Sequence, residues 1–309
     1  MSSRIEGTQA TLEEIYQYEA GITVTQPRSD AKEVHNYVSA LDHGIARLST
    51  LPVSLRLIRE LHQRLMEGVR GAIWTPGEFR RSQNWIGPAG STLESAPYVP
   101  PPVEEMTEGL NQLERYIHES SDIPPIARVG LIHYQFEAIH PFLDGNGRVG
   151  RLLIALLLCQ WELLPQPLLY LSNFFERHRS EYYVRLLAIS QQGKWEDWLT
   201  FFLTGVRDQS REATIRIQKI QILREVYYKK FAGERKAAQL QQLADFLIGH
   251  PIVTTSQVQS ALELGDFKTA QRYIVKLQDS GILTEITGKS RYRLFRANEI
   301  LEAIEKPLV

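Results

Sequence analysis

The chain has 309 residues, enough for two domains, with a formal net charge of −1 and 43% hydrophobic residues. This balance is typical of a soluble globular protein and argues against a whole-surface binder of nucleic acid or membrane. The single cysteine, Cys159, excludes an internal disulfide and a cysteine-built zinc site. Because no apolar run is long enough to span a bilayer and no secretion signal is visible, we expect a cytoplasmic protein.

Helical periodicity dominates the chain, which predicts a mainly α fold. In order, the predicted helices cover residues 11–19, 30–47, 54–66, 103–120, 124–139, 147–161, 177–190 and 195–218, followed by a charged helical connector over 218–242. The helix over 147–161 is apolar on nearly every side, which predicts a place in the centre of a bundle. The stretch 76–102 is rich in glycine, proline and serine and predicts a loop or a short β-hairpin.

The last segment has a different character. Two short predicted helices, 255–264 and 267–277, meet around a Gly-Asp pair, as in a helix-turn-helix. A predicted β-hairpin follows, with strands over 281–286 and 291–295. We therefore expect a small winged helix-turn-helix domain. The predicted organisation is an N-terminal helical part (1–75), a core (76–205), a helical connector (206–242) and the winged helix (243–309).

The chemistry is concentrated in residues 140–151, His-Pro-Phe-Leu-Asp-Gly-Asn-Gly-Arg-Val-Gly-Arg, which lie between two predicted helices. Gly145 and Gly147 allow a positive φ and close approach of the backbone to a ligand, and successive N–H groups of such a turn can hold an anion. The positive end of the following helix points to the same place. Arg148 and Arg151 are three residues apart and can both flank that anion.

His140 and Asp144 complete this set. The Asp144 carboxylate can hold Mg²⁺, and His140 can take a proton near neutral pH. Together these groups indicate phosphoryl or nucleotidyl transfer. The glycines also match the G-x-G-x-x-G pattern of dinucleotide-binding folds, but that fingerprint follows a β-strand and here a helix precedes it. A purely structural corner would explain the glycines and leave the histidine, the carboxylate and the two arginines unexplained.

The same residues match, without departure, the H-x-F-x-[DE]-G-N-G-R-x-x-R signature of the Fic family of protein adenylyltransferases, which this sequence resembles. Residues 76–80 and 83–87 resemble the family's pre-flap segment, and 170–172 and 181–183 resemble its later helices. The resemblance implies a Fic-type helical bundle with a β-hairpin flap as the core over 76–205. A C-terminal winged helix is a common companion of that core.

The resemblance also implies a reaction: transfer of AMP from Mg-ATP to a Ser, Thr or Tyr hydroxyl of a protein, with the chain itself among the candidate targets. By position, His140 would deprotonate the hydroxyl and Asp144 would bind Mg²⁺. The implied nucleotide contacts are Gly145, Asn146 and Gly147 to phosphate oxygens, and Arg148 and Arg151 to the β- and γ-phosphates.

Two further assignments follow from position within the family. Tyr183 lies on a helix expected near the adenine, although aromatic residues at helical spacing, such as its neighbour Tyr182, more often belong to the core. Leu93 lies in the flap region, where a target segment adds as a β-strand, and it is assigned as an apolar clamp for that segment. An ordinary loop leucine is the alternative interpretation of Leu93.

The N-terminus carries a second pattern. Ser3 and Glu6 have capping-box spacing, which by itself favours an ordinary helix start. Beside the family resemblance, Ser2, Glu6 and Gly7 match the inhibitory [ST]-x-x-x-E-[GN] motif. The resemblance implies that Glu6 pairs with Arg151 in the place of the γ-phosphate, because a bidentate Arg–carboxylate contact is strong enough to compete with a nucleotide.

Other functions and partners stay open at this point. Removal of AMP, with Glu6 orienting water, and transfer of another phosphate-containing group are alternatives within the enzyme class. A DNA-binding regulator that senses nucleotide is an alternative outside it, because a basic wing can track DNA phosphates. Residues 241–309 contain 8 basic and 8 acidic side chains, so protein docking or a homodimer is an equal expectation.

Overall fold

The computed structural model describes residues 28–69, 75–88, 90–288 and 293–305. These residues contain twelve helices and three short strands. The prediction of a mainly helical protein is confirmed. The predicted helix over 11–19 and the motif residues Ser2 and Glu6 lie outside these ranges. None of the helices in them has both the length and the apolar character needed to cross a bilayer. The described residues divide into two compact units between Ser210 and Arg211.

The first unit contains seven complete helices and the beginning of an eighth. They are α1 (Arg28–Arg47), α2 (Leu55–Leu65), α3 (Val103–His118), α4 (Pro125–Ile139), α5 (Asn146–Gln160), α6 (Leu171–Arg177), α7 (Arg179–Gln192) and α8 (Trp195–Phe231). The first five match their predicted bounds within two residues. The short helix α6 was not predicted, and α8 continues well beyond its predicted end at residue 218.

The core of the first unit is built around α4 and α5, which pack against each other. As predicted, α5 lies at the centre. Its buried apolar side chains are Val149, Leu152, Leu153, Ile154, Leu156, Leu157 and Leu158. The indole of Trp198 on α8 is fully buried and donates a hydrogen bond of 3.0 Å to the carbonyl of Gly130 on α4. Such a core fixes the two helix ends that meet at residues 140–146.

The glycine- and proline-rich stretch 76–102 is largely irregular where the structure describes it. Its one antiparallel bridge joins Ile86 and Tyr98, with hydrogen bonds of 2.9 and 3.4 Å. The predicted hairpin is therefore reduced to a single bridge, because proline removes ladder donors and glycine weakens strands. The Tyr98 hydroxyl donates 2.9 Å to the carbonyl of Ala138, which ties this stretch to α4.

The second unit contains the end of α8, four further helices and a small sheet. Its elements are α9 (Ala237–Gly249), β1 (Ile252–Thr254), α10 (Thr255–Ala261), α11 (Phe267–Asp279), β2 (Thr284–Glu285), β3 (Leu294–Arg296) and α12 (Asn298–Glu305). The sheet is antiparallel in the order β1-β3-β2, with Arg296 opposite both Ile252 and Thr284. The strand β1 was not predicted, and the two predicted hairpin strands are shorter than expected.

Candidate active site

The turn between α4 and α5 is bounded by two residues with positive φ. His140 ends α4 at φ 48° and ψ 61°, where its N–H donates to the carbonyl of Phe136 at 3.1 Å. Pro141 follows directly and disfavours the right-handed helical region for His140, which explains why α4 stops there. Gly145 begins α5 at φ 79°, a conformation that glycine adopts without strain.

Asn146 closes the turn from inside. Its Oδ1 accepts from the N–H of Phe142, and its Nδ2 donates to the carbonyl of the same residue, both at 2.8 Å. Val149 makes the first hydrogen bond within α5, to the carbonyl of Gly145 at 3.0 Å. The N–H groups of residues 146–148 precede this first bond and form the positive end of the helix, which can receive an anion.

The backbone around His140 sets the chemistry of its ring. Nδ1 lies 3.3 Å from the carbonyl oxygen of Glu137, one turn earlier. Since a carbonyl only accepts, Nδ1 carries a proton, which is the arrangement in which Nε2 of a neutral ring is the proton acceptor. The carbonyl of His140 accepts from Nε of Arg80 at 3.1 Å and from Nδ2 of Asn84 at 3.4 Å. These contacts hold the half-buried imidazole at the end of α4.

Arg80 joins the 76–102 stretch to the turn. Its backbone N–H donates to the carbonyl of Pro141 at 2.8 Å, and its guanidinium also donates to the carbonyls of Ser82 and Pro101. The side chain is almost completely buried, and that burial lowers the pKa of the guanidinium from its ordinary value. Carbonyl dipoles on several sides compensate the buried charge.

Asp144 and Arg148 form the charged part of the turn. Oδ1 of Asp144 accepts from the N–H of Gly145 at 2.7 Å and lies 3.5 Å from the Arg148 guanidinium. The Asp144 side chain is 42% exposed, so its carboxylate can take a hard cation such as Mg²⁺. Arg148 is buried and lies 3.8 Å from the carboxylate of Glu33 on α1. The contact of Glu33 was not predicted from the sequence, because Glu33 lies far from the motif in an ordinary amphipathic helix.

Arg151 lies in the second turn of α5 and is buried. Its neighbour Gly150 accepts a hydrogen bond of 3.1 Å from Nδ1 of His133, whose Nε2 lies 2.9 Å from the hydroxyl of Tyr182. Burial, reinforced by the nearby charge of Arg151, lowers the pKa of His133 to about 3. His133 is therefore neutral at pH 7, and it links α4, α5 and α7 beside Arg151.

The remaining predicted residues lie away from these contacts. Tyr183 follows buried Tyr182 on α7 and is 43% exposed, with its ring centre 5.3 Å from that of Tyr182. Leu93 is 41% exposed in the loop after residue 90. The structure thus places residues 140–145 in the turn and residues 146–151 at the start of α5, and it leaves Tyr183 and Leu93 as surface side chains whose assigned roles stay predictions.

The contacts of Arg80 and Asn84 with the turn were not predicted from the sequence. Both residues lie within the segments 76–80 and 83–87, which resemble the pre-flap region of the family. That resemblance was the one feature of the sequence that could have indicated their contacts with the turn. His62 on α2 also reaches the turn, with its ring stacked on Phe142 at 3.7 Å between centres. A single histidine in an amphipathic helix gave no signal for this contact.

With this geometry in place, comparison with known proteins identifies the chain as a Fic/DOC family protein. Residues 52–158 match the Fic/DOC family, and residues 1–46 match the Fic/DOC family N-terminal part. The first match contains the whole turn and the contacts from α2, Arg80 and Asn84. The predicted family resemblance is confirmed at this level.

Among curated proteins, the chain is 28% identical over 209 residues to the protein adenylyltransferase Fic of Drosophila ananassae, covering 64% of this chain and 37% of that protein. It is 27% identical over 209 residues to the Drosophila grimshawi protein of the same name, covering 64% and 38%. The chain therefore spans little more than a third of the length of these relatives. The similarity to protein adenylyltransferases is distant.

Solved structures show the same fold. A Fic family protein from Desulfovibrio desulfuricans G20 superimposes with a TM-score of 0.60 and 22% identity, covering 96% of this chain and 83% of that one. A fragment of Fic-1 from C. elegans gives a TM-score of 0.52 and 22% identity, covering 68% and 59%. At these identities the likeness establishes a mainly helical Fic-type fold.

Proposed function

We propose that this protein is a nucleotidyltransferase that moves AMP from ATP to a Ser, Thr or Tyr hydroxyl of a protein. The observation that carries the proposal is the turn itself. His140, with its Nδ1 at the carbonyl of Glu137, ends α4 in the same turn that leads to the N–H groups at the start of α5, and that helix carries the two buried arginines Arg148 and Arg151. Membership in a family of typical nucleotidyltransferases supports it.

In the proposed reaction, Nε2 of His140 removes the proton from the target hydroxyl, and that oxygen attacks the α-phosphorus of ATP. The new O–P bond replaces the bond between the α-phosphorus and the bridging oxygen, so pyrophosphate leaves and AMP stays on the protein. In-line displacement of this kind depends mainly on positioning and on neutralising charge. The fixed ring of His140 and the rigid turn supply the positioning.

Charge neutralisation falls to the start of α5 and to the arginines. The N–H groups of residues 146–148 would receive phosphate oxygens, while Arg148 and Arg151 would hold the outer phosphates. Both arginines are buried, and Arg148 is held in advance by the carboxylates of Glu33 and Asp144, which reduces the reorganisation needed during reaction. The half-exposed carboxylate of Asp144 would hold Mg²⁺, whose charge would further neutralise the phosphates.

Inhibition by the N-terminus is part of this proposal. The Ser-x-x-x-Glu-Gly pattern at residues 2–7 supports it, as does the match of residues 1–46 to the family's N-terminal part. We propose that the carboxylate of Glu6 pairs with Arg151, so that ATP binds productively only after Glu6 leaves. A carboxylate that forms this pair would occupy the position of an outer phosphate.

The C-terminal unit is proposed to be a winged helix-turn-helix over 243–309. The support is the order of its elements: the short helices α10 and α11, joined by residues 262–266, precede the paired strands β2 and β3. Analytical ultracentrifugation distinguishes a homodimer from a monomer, and titration with a labelled duplex at several salt concentrations tests for DNA.

The activity is tested with ATP labelled at the α-phosphate, with Mg²⁺, in a cell lysate and with the protein alone. We expect labelled protein with the wild type and none with His140→Ala or His140→Asn. The control is His43→Gln, since His43 pairs with Glu60 between α1 and α2 and lies outside the turn. If label from the γ-phosphate is incorporated instead, or if the His140 variants label as the wild type does, AMP transfer is refuted.

A further inference from the structure

His62 on α2 is almost completely buried against the turn. Its ring lies parallel to that of Phe142, with 3.7 Å between ring centres and 9° between ring planes. Its Cδ2 and Nε2 lie so close to Gly145 that a Cβ there would stand 3.4 and 3.5 Å away. Phe142 and Gly145 therefore both rest on this one imidazole.

Both nitrogens of His62 have defined partners. The N–H of Gly77 donates to Nδ1 at 2.8 Å, so Nδ1 carries no proton. Nε2 then carries the proton and donates to the carbonyl of Asp144 at 3.1 Å. Burial, with a smaller contribution from the charge of Arg148, lowers the pKa of His62 to about 4, so the ring is neutral at pH 7.

The partner at Nδ1, Gly77, lies at the beginning of the 76–102 stretch. Both the N–H and the carbonyl of Gly77 are hydrogen-bonded to side chains of α2. The N–H donates to His62, and the carbonyl accepts from Nε of Arg59 at 2.7 Å. Gly77 has a φ of 82°, and a Cβ there would lie 3.1 Å from the Cβ of Gln63. Two residues later, the ring of Phe79 lies 5.2 Å from that of Phe142.

We infer that His62 is a positioning residue that joins the Gly77 segment to the carbonyl of Asp144 and so fixes the Asp144 carboxylate for Mg-nucleotide. The consequence for nucleotide rests on the function proposed above, whereas the joining of the two segments does not. A partner that orients a metal-binding carboxylate commonly changes metal affinity as much as a direct ligand does. Sequence periodicity alone would make His62 a core residue of α2.

Three substitutions separate the roles of this ring. His62→Gln keeps an amide donor near the position of Nε2, so it retains the contact to Asp144 and loses that to Gly77. His62→Asn keeps an acceptor near the position of Nδ1, with the opposite result. His62→Phe keeps the stack on Phe142 and loses both hydrogen bonds. The control is again His43→Gln, since His43 is a histidine at the α1–α2 contact with its hydrogen bond to Glu60.

Two measurements are made on each full-length variant: titration with a fluorescent N-methylanthraniloyl-ATP with and without Mg²⁺, and hydrogen exchange of the Gly77 amide without nucleotide. We expect the Mg²⁺-dependent affinity to fall about tenfold in the Asn and Phe variants and to be largely kept in the Gln variant. The Gly77 amide should exchange slowly in the wild type and the Asn variant and faster in the Gln and Phe variants.

If His62 serves only for packing, the Phe variant will equal the wild type in both nucleotide affinity and Gly77 exchange. That result overturns the inference. If the Phe variant does not fold, the comparison of Gln with Asn still decides, because equal behaviour of these two also overturns it. If the wild type binds no nucleotide, the proposed function fails. The exchange of the Gly77 amide then still tests whether His62 joins the two segments.

Discussion

Glu137 and Gly150 face each other across the α4–α5 contact so closely that a Cβ on Gly150 would overlap Oε1 of Glu137 and lie 3.2 Å from the ring of Phe136. We predict that Gly150→Ala displaces the Glu137 carboxylate and loosens this contact beside Arg151. The carboxylate lies at the end of a flexible side chain and can move aside, whereas the fully buried ring of Phe136 cannot easily give way, and overpacking against such a ring destabilises by about 1–3 kcal/mol. Thermal unfolding should show a lower Tm, and incorporation of label from ATP should fall.

A matched glycine in the same unit provides the control. A Cβ on Gly109 in α3 would lie 3.5 Å from Ile139, an ordinary contact distance. Gly109→Ala should therefore raise the free energy of unfolding by about 0.5–1 kcal/mol, because alanine favours a helix interior over glycine. If the free energy of unfolding rises in both variants, the close approach at Gly150 has no effect on stability.

Asn84 holds the turn through two carbonyls, those of His140 at 3.4 Å and Phe142 at 3.0 Å. We predict that Asn84→Ala lowers kcat for AMP transfer by about tenfold or more, since small displacements of a catalytic group reduce rates strongly. The KM for ATP should change much less, because Asn84 touches none of the charged groups of the turn. Initial rates at varied ATP concentration measure both constants.

The neighbouring amide tests whether the effect is local. Gln83 donates to the carbonyls of Asn84 and Pro100 and remains within the 76–102 stretch. Gln83→Ala should leave kcat close to the wild-type value. If Asn84→Ala and Gln83→Ala reduce kcat equally, Asn84 acts by supporting the stretch as a whole and does not position His140.

Acid should destabilise the fold through its buried histidines. Burial lowers the pKa of His62 to about 4 and of His133 to about 3, below the value of about 6.5 for an exposed histidine. Between these values the unfolded chain binds more protons than the folded one, so stability is fully present above pH 6.5 and falls as the pH drops. Tm measured from pH 7 to pH 4.5 should decrease.

A variant isolates one of these two groups. His62→Gln removes one titrating side chain, so its Tm should depend less steeply on pH over this range than that of the wild type. The comparison concerns the slope and not the Tm at pH 7, which also reflects lost packing. Parallel curves for the two proteins would mean that His62 is already protonated in the fold or remains neutral when unfolded.

The proposed inhibition predicts a gain of activity. Glu6→Gly removes the carboxylate that competes for Arg151, and we expect self-labelling from ATP to rise about tenfold, since a hydrogen bond to a charged group contributes about 1.5–3 kcal/mol. The control is Glu13→Gly, another N-terminal glutamate outside the motif. An unchanged rate with Glu6→Gly would remove the inhibitory contact from the proposal.

The sequence predicted the helices well wherever hydrophobic periodicity was long and regular. The positive φ of Gly145 could also be predicted from its residue type. Pro141 predicted the end of α4 at His140, but not the positive φ of His140, because a following proline favours extended backbone. The short helix α6 and the strand β1 (three residues) were missed, because elements of this length carry too few residues to establish a period.

The supporting contacts of the turn were harder to predict than the turn. His62, Arg80 and Asn84 reach it from segments distant in sequence, and each does so by binding a backbone carbonyl. A backbone carbonyl acceptor cannot be predicted from residue type, since every residue has a carbonyl. Only the packing of α2 and of the 76–102 stretch against the turn makes such pairings visible.

Arg80 gives the site a property that ion pairs lack. The partners of its guanidinium are the carbonyl oxygens of His140, Ser82 and Pro101, and the side chain is shielded from solvent. Mobile ions weaken attractions between exposed charges, but they reach a buried group held by peptide dipoles poorly. The wall behind His140 should therefore keep its shape as ionic strength changes, even where the surface pairs of the same unit, such as Arg59 with Glu78, separate.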